Sequence, residues 1–324
     1  MKSIQKIITY CLCLLVFVLS LAGCNNESAA NIILDQATSV LNVTNGAAES
    51  SVNDQERDDY PNEAKGTVHV YALNIGQGDA FLVKVGNEYS LIDTGDVAHR
   101  PNIVAQLQQL GVKKFKNIII THGHEDHIGG FLAIAKNFEI ENVYDNGIIT
   151  KTTVENSYRR IIEKNHIRHH SLHKGDVVDF GSNSTFIVYA PWEDVIKDSK
   201  GKPDLNNNSI VGKFKFGKFS MLFTGDAEKI EEARLVKEQN SKLFARVLKV
   251  AHHGSDHSSP TKFIRSVRPE IGVISVGLHN SYNHPGDKTL ARLQQEKVSI
   301  YRTDTMGIVH ISTDGKAWQV ETER

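Results

Sequence analysis

The most informative stretch of the sequence is residues 121–130, which reads Thr121-His122-Gly123-His124-Glu125-Asp126-His127-Ile128-Gly129-Gly130. Three histidines and an aspartate fall close together here, directly after the apolar run 117–120. Imidazole and carboxylate groups are suitable ligands for zinc and other borderline divalent ions. On a loop between a strand and a helix, alternate side chains point to two different sides. We therefore expect His122 and His124 to bind one ion, and Asp126 and His127 to bind a second.

This stretch resembles the signature HxHxDHxGG of the metallo-β-lactamase superfamily, in which x is any residue. The resemblance implies an α/β (α+β) fold, a metallo-β-lactamase-like four-layer αββα sandwich, and a metal-dependent hydrolase. The overall pattern agrees, because a strand-rich first half precedes a second half in which helices alternate with strands. The implied cofactor is one or two divalent ions, with zinc as the first expectation and manganese as the alternative.

Two further carboxylates lie in motifs that the superfamily resemblance explains. Asp93, in Leu91-Ile92-Asp93-Thr94-Gly95, is similar to an aspartate that orients the metal loop without binding an ion itself. Asp226, in Leu222-Phe223-Thr224-Gly225-Asp226, is similar to the aspartate that bridges the two ions. A carboxylate can bridge because each of its oxygens can bind one ion, with the ions about 3.5–4 Å apart.

Three more motifs resemble a narrower group, the hydrolase domain of the ComEC family of competence proteins. They are Leu73-Asn74-Ile75-Gly76-Gln77-Gly78-Asp79, Lys249-Val250-Ala251-His252-His253-Gly254-Ser255 and Tyr282-Asn283-His284-Pro285. Beyond the N-terminal segment no apolar run approaches the length of a membrane span. The chain is therefore expected to be a stand-alone relative of that domain, without the membrane-channel portion.

One departure from the superfamily pattern concerns the first ion. Many members have a further histidine there, whereas this region reads Asn206-Asn207-Asn208-Ser209-Ile210-Val211, as it does in ComEC-like proteins. An amide oxygen is a poor zinc ligand compared with imidazole. Either this ion site is weaker, or water completes it, or the polar loop contacts substrate. On the last alternative, Asn207 and Ser209 are the candidate substrate-binding residues.

Three histidines after position 250 are further candidates for the site. His252 and His253 follow an apolar strand, and either can complete the second ion site. Neighbouring strand residues point to opposite faces, so both are not expected to bind one ion. His284 is the candidate general acid or a ligand for a phosphate oxygen, which makes it a catalytic candidate together with Asp126.

The N-terminus predicts export and lipid anchoring. A basic start with Lys2 and Lys6 precedes the apolar run 7–22, which is typical of a signal peptide. The run ends in Leu21-Ala22-Gly23-Cys24, which resembles the bacterial lipobox. We expect residues 1–23 to be removed and Cys24 to be the lipid anchor at the bacterial cell surface. A plain signal peptide or an uncleaved anchor helix is the alternative.

Composition and charge fix the remaining expectations. Residues 24–66 are rich in Asn, Ser, Ala, Asp and Glu and predict a flexible tether, with a short docked helix as the alternative. Residues 67–324 then form the hydrolase domain. Cleavage would leave 35 basic and 38 acidic residues, a net charge of −3. This excludes a generally basic nucleic-acid-coating protein and weakens DNA as the substrate without excluding it.

Three functional hypotheses remain open from sequence. The first is hydrolysis of a phosphoester, either DNA, because the ComEC-like domain is regarded as a nuclease, or a cell-envelope phosphoester such as a phosphorylcholine ester. The second is hydrolysis of a β-lactam, lactone or thioester, because one fold hosts several chemistries. The third is a metal-binding lipoprotein without catalysis. The sequence predicts no oligomeric state.

Overall fold

Two β-sheets lie face to face in the computed structural model, which describes residues 66–324. The predicted signal segment 1–23, Cys24 and the tether up to residue 65 lie outside the described residues. The strands are β1 Val68–Ala72, β2 Phe81–Val85, β3 Glu88–Ile92, β4 Lys114–Ile119, β5 Glu139–Asp145, β6 Arg168–Ser171, β7 Val177–Gly181, β8 Ser184–Ala190, β9 Val211–Phe216, β10 Phe219–Phe223, β11 Val247–Lys249, β12 Ile271–Ile274, β13 Ser299–Arg302, β14 Val309–Thr313 and β15 Trp318–Thr322.

Both sheets change from antiparallel to parallel pairing part-way across. The first has the order β15-β14-β1-β2-β3-β4-β5-β6, with antiparallel pairs up to β3 and parallel pairs from β3 to β6. The second has the order β13-β12-β11-β10-β9-β8-β7, with antiparallel pairs from β7 to β10 and parallel pairs from β10 to β13. Parallel pairs need crossover connections, and helices supply most of them here.

Helices cover the outer faces of both sheets. They are α1 Arg100–Gln109, α2 Glu125–Ile128, α3 Phe131–Asn137, α4 Thr153–Lys164, α5 Lys229–Gln239, α6 Thr261–Val267, α7 Asp287–Gln295 and α8 Thr303–Met306. Helix α4 shows why such segments are helical: Thr152 caps its start by accepting a bond from the Glu155 N–H, and Tyr158 and Ile162 bury one face. Within residues 66–324, no helix is both long and apolar enough to span a membrane.

Strand alternation divides the apolar side chains among three cores. Ile119 of β4 packs between the sheets, whereas its neighbour Ile118 packs beneath α1, α3 and α4. In the same way, Phe223 of β10 faces the first sheet and Leu222 faces α5 and α6. The result is helix, sheet, sheet and helix in four layers. The expected α/β (α+β) four-layer αββα sandwich is confirmed.

The carboxyl ends of the parallel strands carry the residues singled out by the sequence. Asp93 follows β3 and Thr121 follows β4 in the first sheet, while Asp226 follows β10 and His252 follows β11 in the second. Ligands of α/β sheets commonly bind outside this end of the strands. The fold thus brings segments from both sheets to one edge of the sandwich.

The core between the sheets gives a stability prediction. Phe186 of β8 is fully buried, and its ring lies 5.7 Å from that of Phe180 and 6.1 Å from that of Phe223. Phe186→Ala should lower the free energy of unfolding by about 3–5 kcal/mol, because it leaves a cavity in the core between the sheets. Denaturant unfolding of the full chain measures this. Val177→Ala, in the same sheet but exposed, should change it by less than about 0.5 kcal/mol, and equal effects would contradict this core.

Candidate metal centre

A buried carboxylate, that of Asp226, stands at the middle of the site. Among residues 66–324, four imidazoles have Nε2 within 4.0 Å of its Oδ2 atom. The distances are 3.2 Å for His127, 3.5 Å for His253, 3.8 Å for His252 and 4.0 Å for His122. Two of these rings come from the segment after β4 and two from the segment after β11. Both sheets therefore supply imidazoles to the same carboxylate.

Each of these four rings has an oxygen atom near its Nδ1 atom, on the side away from Asp226. The pairs are His127 with Asp93 Oδ2 at 2.8 Å, His253 with the Ser275 carbonyl at 2.9 Å, His252 with Glu228 Oε1 at 3.2 Å and His122 with Thr121 Oγ1 at 3.2 Å. Metal-binding histidines are usually oriented in this way, since an oxygen at one nitrogen leaves the other free for the ion.

The remaining predicted ligands, Asp126 and His124, belong to two different groups near Asp226. Asp126 Oδ2 lies 3.2 Å from His253 Nε2 and 3.9 Å from His127 Nε2, and these three residues form a mutually close group with Asp226. His124 instead lies with His122, with His124 Nδ1 3.0 Å from His122 Nε2. His122 and His124 thus lie together, as do Asp126 and His127, and that each pair binds its own ion stays a prediction.

Asp93 lies where the superfamily resemblance places it, behind the metal loop. Its Oδ1 accepts the Thr121 backbone N–H at 2.7 Å, and its Oδ2 accepts the Thr121 hydroxyl at 2.8 Å. The same Oδ2 contacts His127 Nδ1, so Asp93 fixes both the start of the loop and the orientation of a candidate ligand. Asp93 is not among the groups around Asp226, which agrees with a supporting role.

Lys249 and Asp79 were not predicted as site residues. The Lys249 ammonium is fully buried, contacts Asp79 Oδ2, lies 3.6 Å from Asp226 Oδ1 and donates to the Gly225 carbonyl at 2.6 Å. Burial lowers the pKa of Lys249, but the charges of Asp79 and Asp226 outweigh this and raise it overall. Asp79 and Asp93 also cluster with His127, and Lys249 already supplies a cation to that group.

Asn207 and Ser209 require a correction as candidate substrate contacts. The Asn207 amide is buried, where it donates to Asp204 Oδ2 at 2.8 Å and accepts the Glu231 backbone N–H at 3.1 Å. The Ser209 hydroxyl is buried and accepts the Asp226 backbone N–H at 3.1 Å. Because the two side chains are enclosed by protein, they hold α5 and Asp226 in place and do not face substrate.

The assumption that His252 and His253 alternate as neighbouring residues of a strand was also wrong. These residues lie in a short 3₁₀ turn, His252–Gly254, and not at the end of a strand. Both have positive backbone φ angles, 52° and 53°, so strand alternation does not apply to them. Both rings consequently approach Asp226, and His253 is the one that joins Asp126.

His284 lies at the edge of the cluster. Its ring centroid is 5.5 Å from that of His252 and 6.3 Å from that of His253, and the exposed Tyr282 ring stacks on it. Burial, together with the charges of His252 and His253, lowers the pKa of His284 to about 4. The ring is therefore neutral at pH 7 and can donate one N–H hydrogen bond, but it has no additional proton to transfer.

Comparison with known protein families identifies the superfamily. The model of the "Metallo-beta-lactamase superfamily" matches residues 73–278, more than half of the chain. The chain belongs to the metallo-β-lactamase superfamily. Metallo-β-lactamase-fold proteins are mostly metal-dependent hydrolases, and the fold binds divalent ions, usually zinc.

Individual relatives indicate a narrower family within this superfamily. The chain is 28% identical over 256 residues to ComE operon protein 3 of Bacillus subtilis and 31% identical over 249 residues to Competence protein ComA of Neisseria gonorrhoeae. These alignments cover 73% and 76% of this chain but 32% of each relative, so the chain spans about a third of their length. The expected resemblance to part of the ComEC family is confirmed.

A solved structure supports the fold alone. The metallo-beta-lactamase fold protein YhfI from Bacillus subtilis aligns with a TM-score of 0.52 at 10% identity, covering 76% of this chain and 100% of that one. At this identity the likeness carries no information about substrate.

The residues of this candidate metal centre fit divalent ions. His127 Nε2 and Asp226 Oδ1 are buried without a hydrogen-bond partner, which is costly unless another group binds them. The donor set of imidazoles and carboxylates is the one that zinc accepts, and manganese accepts the carboxylates well. His122, His124 and Asp226 would hold one ion, and Asp126, His127, His253 and Asp226 the other.

Protonation of the metal-free centre gives a testable consequence. Burial lowers the pKa of His253, but Asp226 and Asp79 outweigh it and raise the value to about 10, and Asp226 and Asp93 similarly raise the pKa of His127. At neutral pH both imidazole rings are therefore protonated on both nitrogens, and each must lose one proton before its Nε2 atom can bind an ion. Metal binding should release about two protons per chain, and affinity should rise with pH as proton competition weakens.

Calorimetry of zinc binding in buffers of different ionisation enthalpy, at about pH 7.5, measures this release. His253→Asn should reduce the number of protons released by about one. Binding enthalpies that do not depend on the buffer would contradict the charged metal-free centre.

Proposed function

We propose that this protein is a metal-dependent phosphoesterase that acts at the outer face of the membrane, where it is anchored as a lipoprotein through Cys24. The observation that carries the proposal is the approach of four imidazoles, from both sheets, to one oxygen of the Asp226 carboxylate. A carboxylate in this position can bridge two ions, and two-ion centres are common in enzymes that cleave phosphoesters, where they stabilise both the attacking and the leaving oxygen.

The chain's own groups divide the work of such a reaction. A divalent ion, when bound, lowers the pKa of a coordinated water towards 7 and polarises a phosphoryl oxygen. Asp126, whose side chain is about one-third exposed, is the ligand open to the solvent side, where it can orient the attacking water. Asp93 keeps His127 in place from behind, and Lys249 offsets the carboxylate charge of Asp79 and Asp226.

His284 has a separate role in the proposal. Because its ring is neutral at pH 7, we assign it to a hydrogen bond with a phosphoryl oxygen in preference to protonation of the leaving group. Its place beside His252 and His253 puts it next to the candidate ions without making it a ligand. Of its two expected roles, phosphate contact is the one that these observations support.

Two phosphoester classes remain as substrates within the proposal. The competence proteins among the relatives favour a nucleic-acid phosphodiester. The predicted membrane tether and the net charge of −3 expected after cleavage favour a phosphoester of the cell envelope. A panel of bis-p-nitrophenyl phosphate, a plasmid, a short oligonucleotide, a phosphorylcholine ester and nitrocefin separates these classes. Turnover of nitrocefin alone would refute the phosphoesterase proposal.

Removing a ligand of the second ion should abolish activity without unfolding the protein. Asp126→Asn and His127→Asn should each lower kcat/KM on bis-p-nitrophenyl phosphate by about a thousandfold or more, because an ion contributes several kcal/mol to the transition state. Glu125→Gln, at the exposed position beside Asp126, is the matched control and should keep wild-type activity. Near-wild-type turnover by either ligand variant, with circular dichroism showing a folded protein, would contradict the assignment.

The role of His284 can be read from a pH profile. His284→Ala should lower kcat/KM by about 10–100-fold, mainly through KM, because one hydrogen bond to a charged phosphoryl group is lost. Since the pKa of His284 is about 4, the ring stays neutral above that pH, and the profile between about pH 5 and 8 should keep its shape in the variant. Loss of the alkaline limb would instead identify His284 as a general acid.

A further inference from the structure

The first ion side of the centre has one side-chain ligand fewer than the second. On the second side, Asp126, His127 and His253 face Asp226, whereas on the first the motif supplies only His122 and His124. The segment 206–209, where many superfamily members have a histidine, does not fill this place. Its Asn207 and Ser209 side chains are buried, and Asn208 bonds to Ile196 and Asp204.

His252 is the imidazole that the rest of the centre leaves unassigned. Its Nε2 lies 3.8 Å from Asp226 Oδ2, about as close as His122 Nε2 at 4.0 Å. It does not belong to the close group formed by Asp126, His127, His253 and Asp226. Its side chain keeps 21% exposure, so the ring lines the open part of the centre.

Glu228 lies on the Nδ1 side of His252 as an ion-pair partner, whereas Asp93 is hydrogen-bonded to His127. Glu228 Oε1 lies 3.2 Å from His252 Nδ1 and also accepts a hydrogen bond from the Asn206 amide at 3.2 Å. A carboxylate at Nδ1 fixes the ring orientation and makes Nε2 a better ligand. The first residue of the 206–209 segment therefore supports the carboxylate behind His252.

We propose that His252 supplies the third imidazole for the first ion, and that Glu228, supported by Asn206, is the positioning residue for that imidazole. The backbone makes this substitution feasible, because consecutive positive φ angles at His252 and His253 turn both rings to the centre. His253 then serves the second ion and His252 the first. The inference rests on the two-ion centre of the proposed function.

Metal content measured without turnover tests the inference. The full chain, purified in detergent and dialysed against a weak zinc chelator, should retain about two zinc ions per chain by mass spectrometry. His252→Asn should retain about one, and asparagine is suitable because it tolerates positive φ and is a poor zinc ligand. His257→Asn, at an exposed histidine of the same segment, should retain two.

Glu228→Gln tests the positioning role separately. It keeps the His252 imidazole but removes the negative charge behind it, so one of the two zinc ions should bind about 10–100-fold more weakly. The visible spectrum of the cobalt(II)-loaded variant should show altered coordination for that ion only. Unchanged affinity for both ions and an unchanged cobalt spectrum would overturn the role of Glu228.

The outcomes separate this inference from the proposed function. If His252→Asn retains two zinc ions and only raises KM, the residue contacts substrate and the inference fails, while the phosphoesterase survives. If the wild type binds two ions and His252→Asn binds one, but no phosphoester is hydrolysed, the inference stands and the proposed function fails. Retention of a single ion by the wild type would overturn the inference directly.

Discussion

The arrangement of the candidate metal centre depends on how neighbouring groups balance the charge of one buried carboxylate. Asp226 is enclosed between the sheets' edges, where an unpaired charge would be prohibitively costly. Burial alone would raise its pKa, but the neighbouring His127 and His253 lower it well below the usual range, so that it is charged. Lys249, from the strand next to the one that Asp226 follows, adds a buried cation 3.6 Å from its Oδ1 atom. The imidazoles and the ammonium together make a charged group tenable at this depth.

An oxygen atom behind an imidazole ring is found three times around the Asp226 carboxylate. Asp93, Glu228 and the Ser275 carbonyl each place an oxygen behind a different imidazole, and each comes from a different loop. Two positions at which loops of the centre approach each other closely are occupied by glycine. A Cβ atom on Gly225, whose φ is 49°, would lie 2.9 Å from the Cβ atoms of Thr121 and Ser209. One on Gly78 would lie 2.5 Å from the Asp126 carbonyl. Larger side chains at these positions would separate the loops.

The four-layer fold was expected from the superfamily resemblance, which rests on short motifs, and the grouping of side chains within the ligand motif depends on positions close together in the chain. The residues 121–130 stay within one loop, so their division into His122 with His124 and Asp126 with His127 follows from adjacency. Asp79 and Lys249 were missed as site residues since their contact joins positions far apart in the chain. Their presence in motifs already singled out was the available signal. Asn207 and Ser209 were misassigned because polarity does not reveal whether a side chain faces solvent or a buried backbone N–H. His252 and His253 were misjudged because a turn with positive φ replaced the assumed strand, although the following Gly254 was a hint.

The origin of the ligands in both sheets has a consequence for the stability of the protein. His122 and His127 extend from one sheet, and Asp226, His252 and His253 from the other. An ion held among them would act as a non-covalent cross-link between the halves of the sandwich, in a chain whose only cysteine after position 23 is Cys24. An ion present at a hundred times its dissociation constant would add about 2.7 kcal/mol to the folded state, if the unfolded chain does not bind it. How long the folded chain resists proteolysis would then depend on the supply of metal.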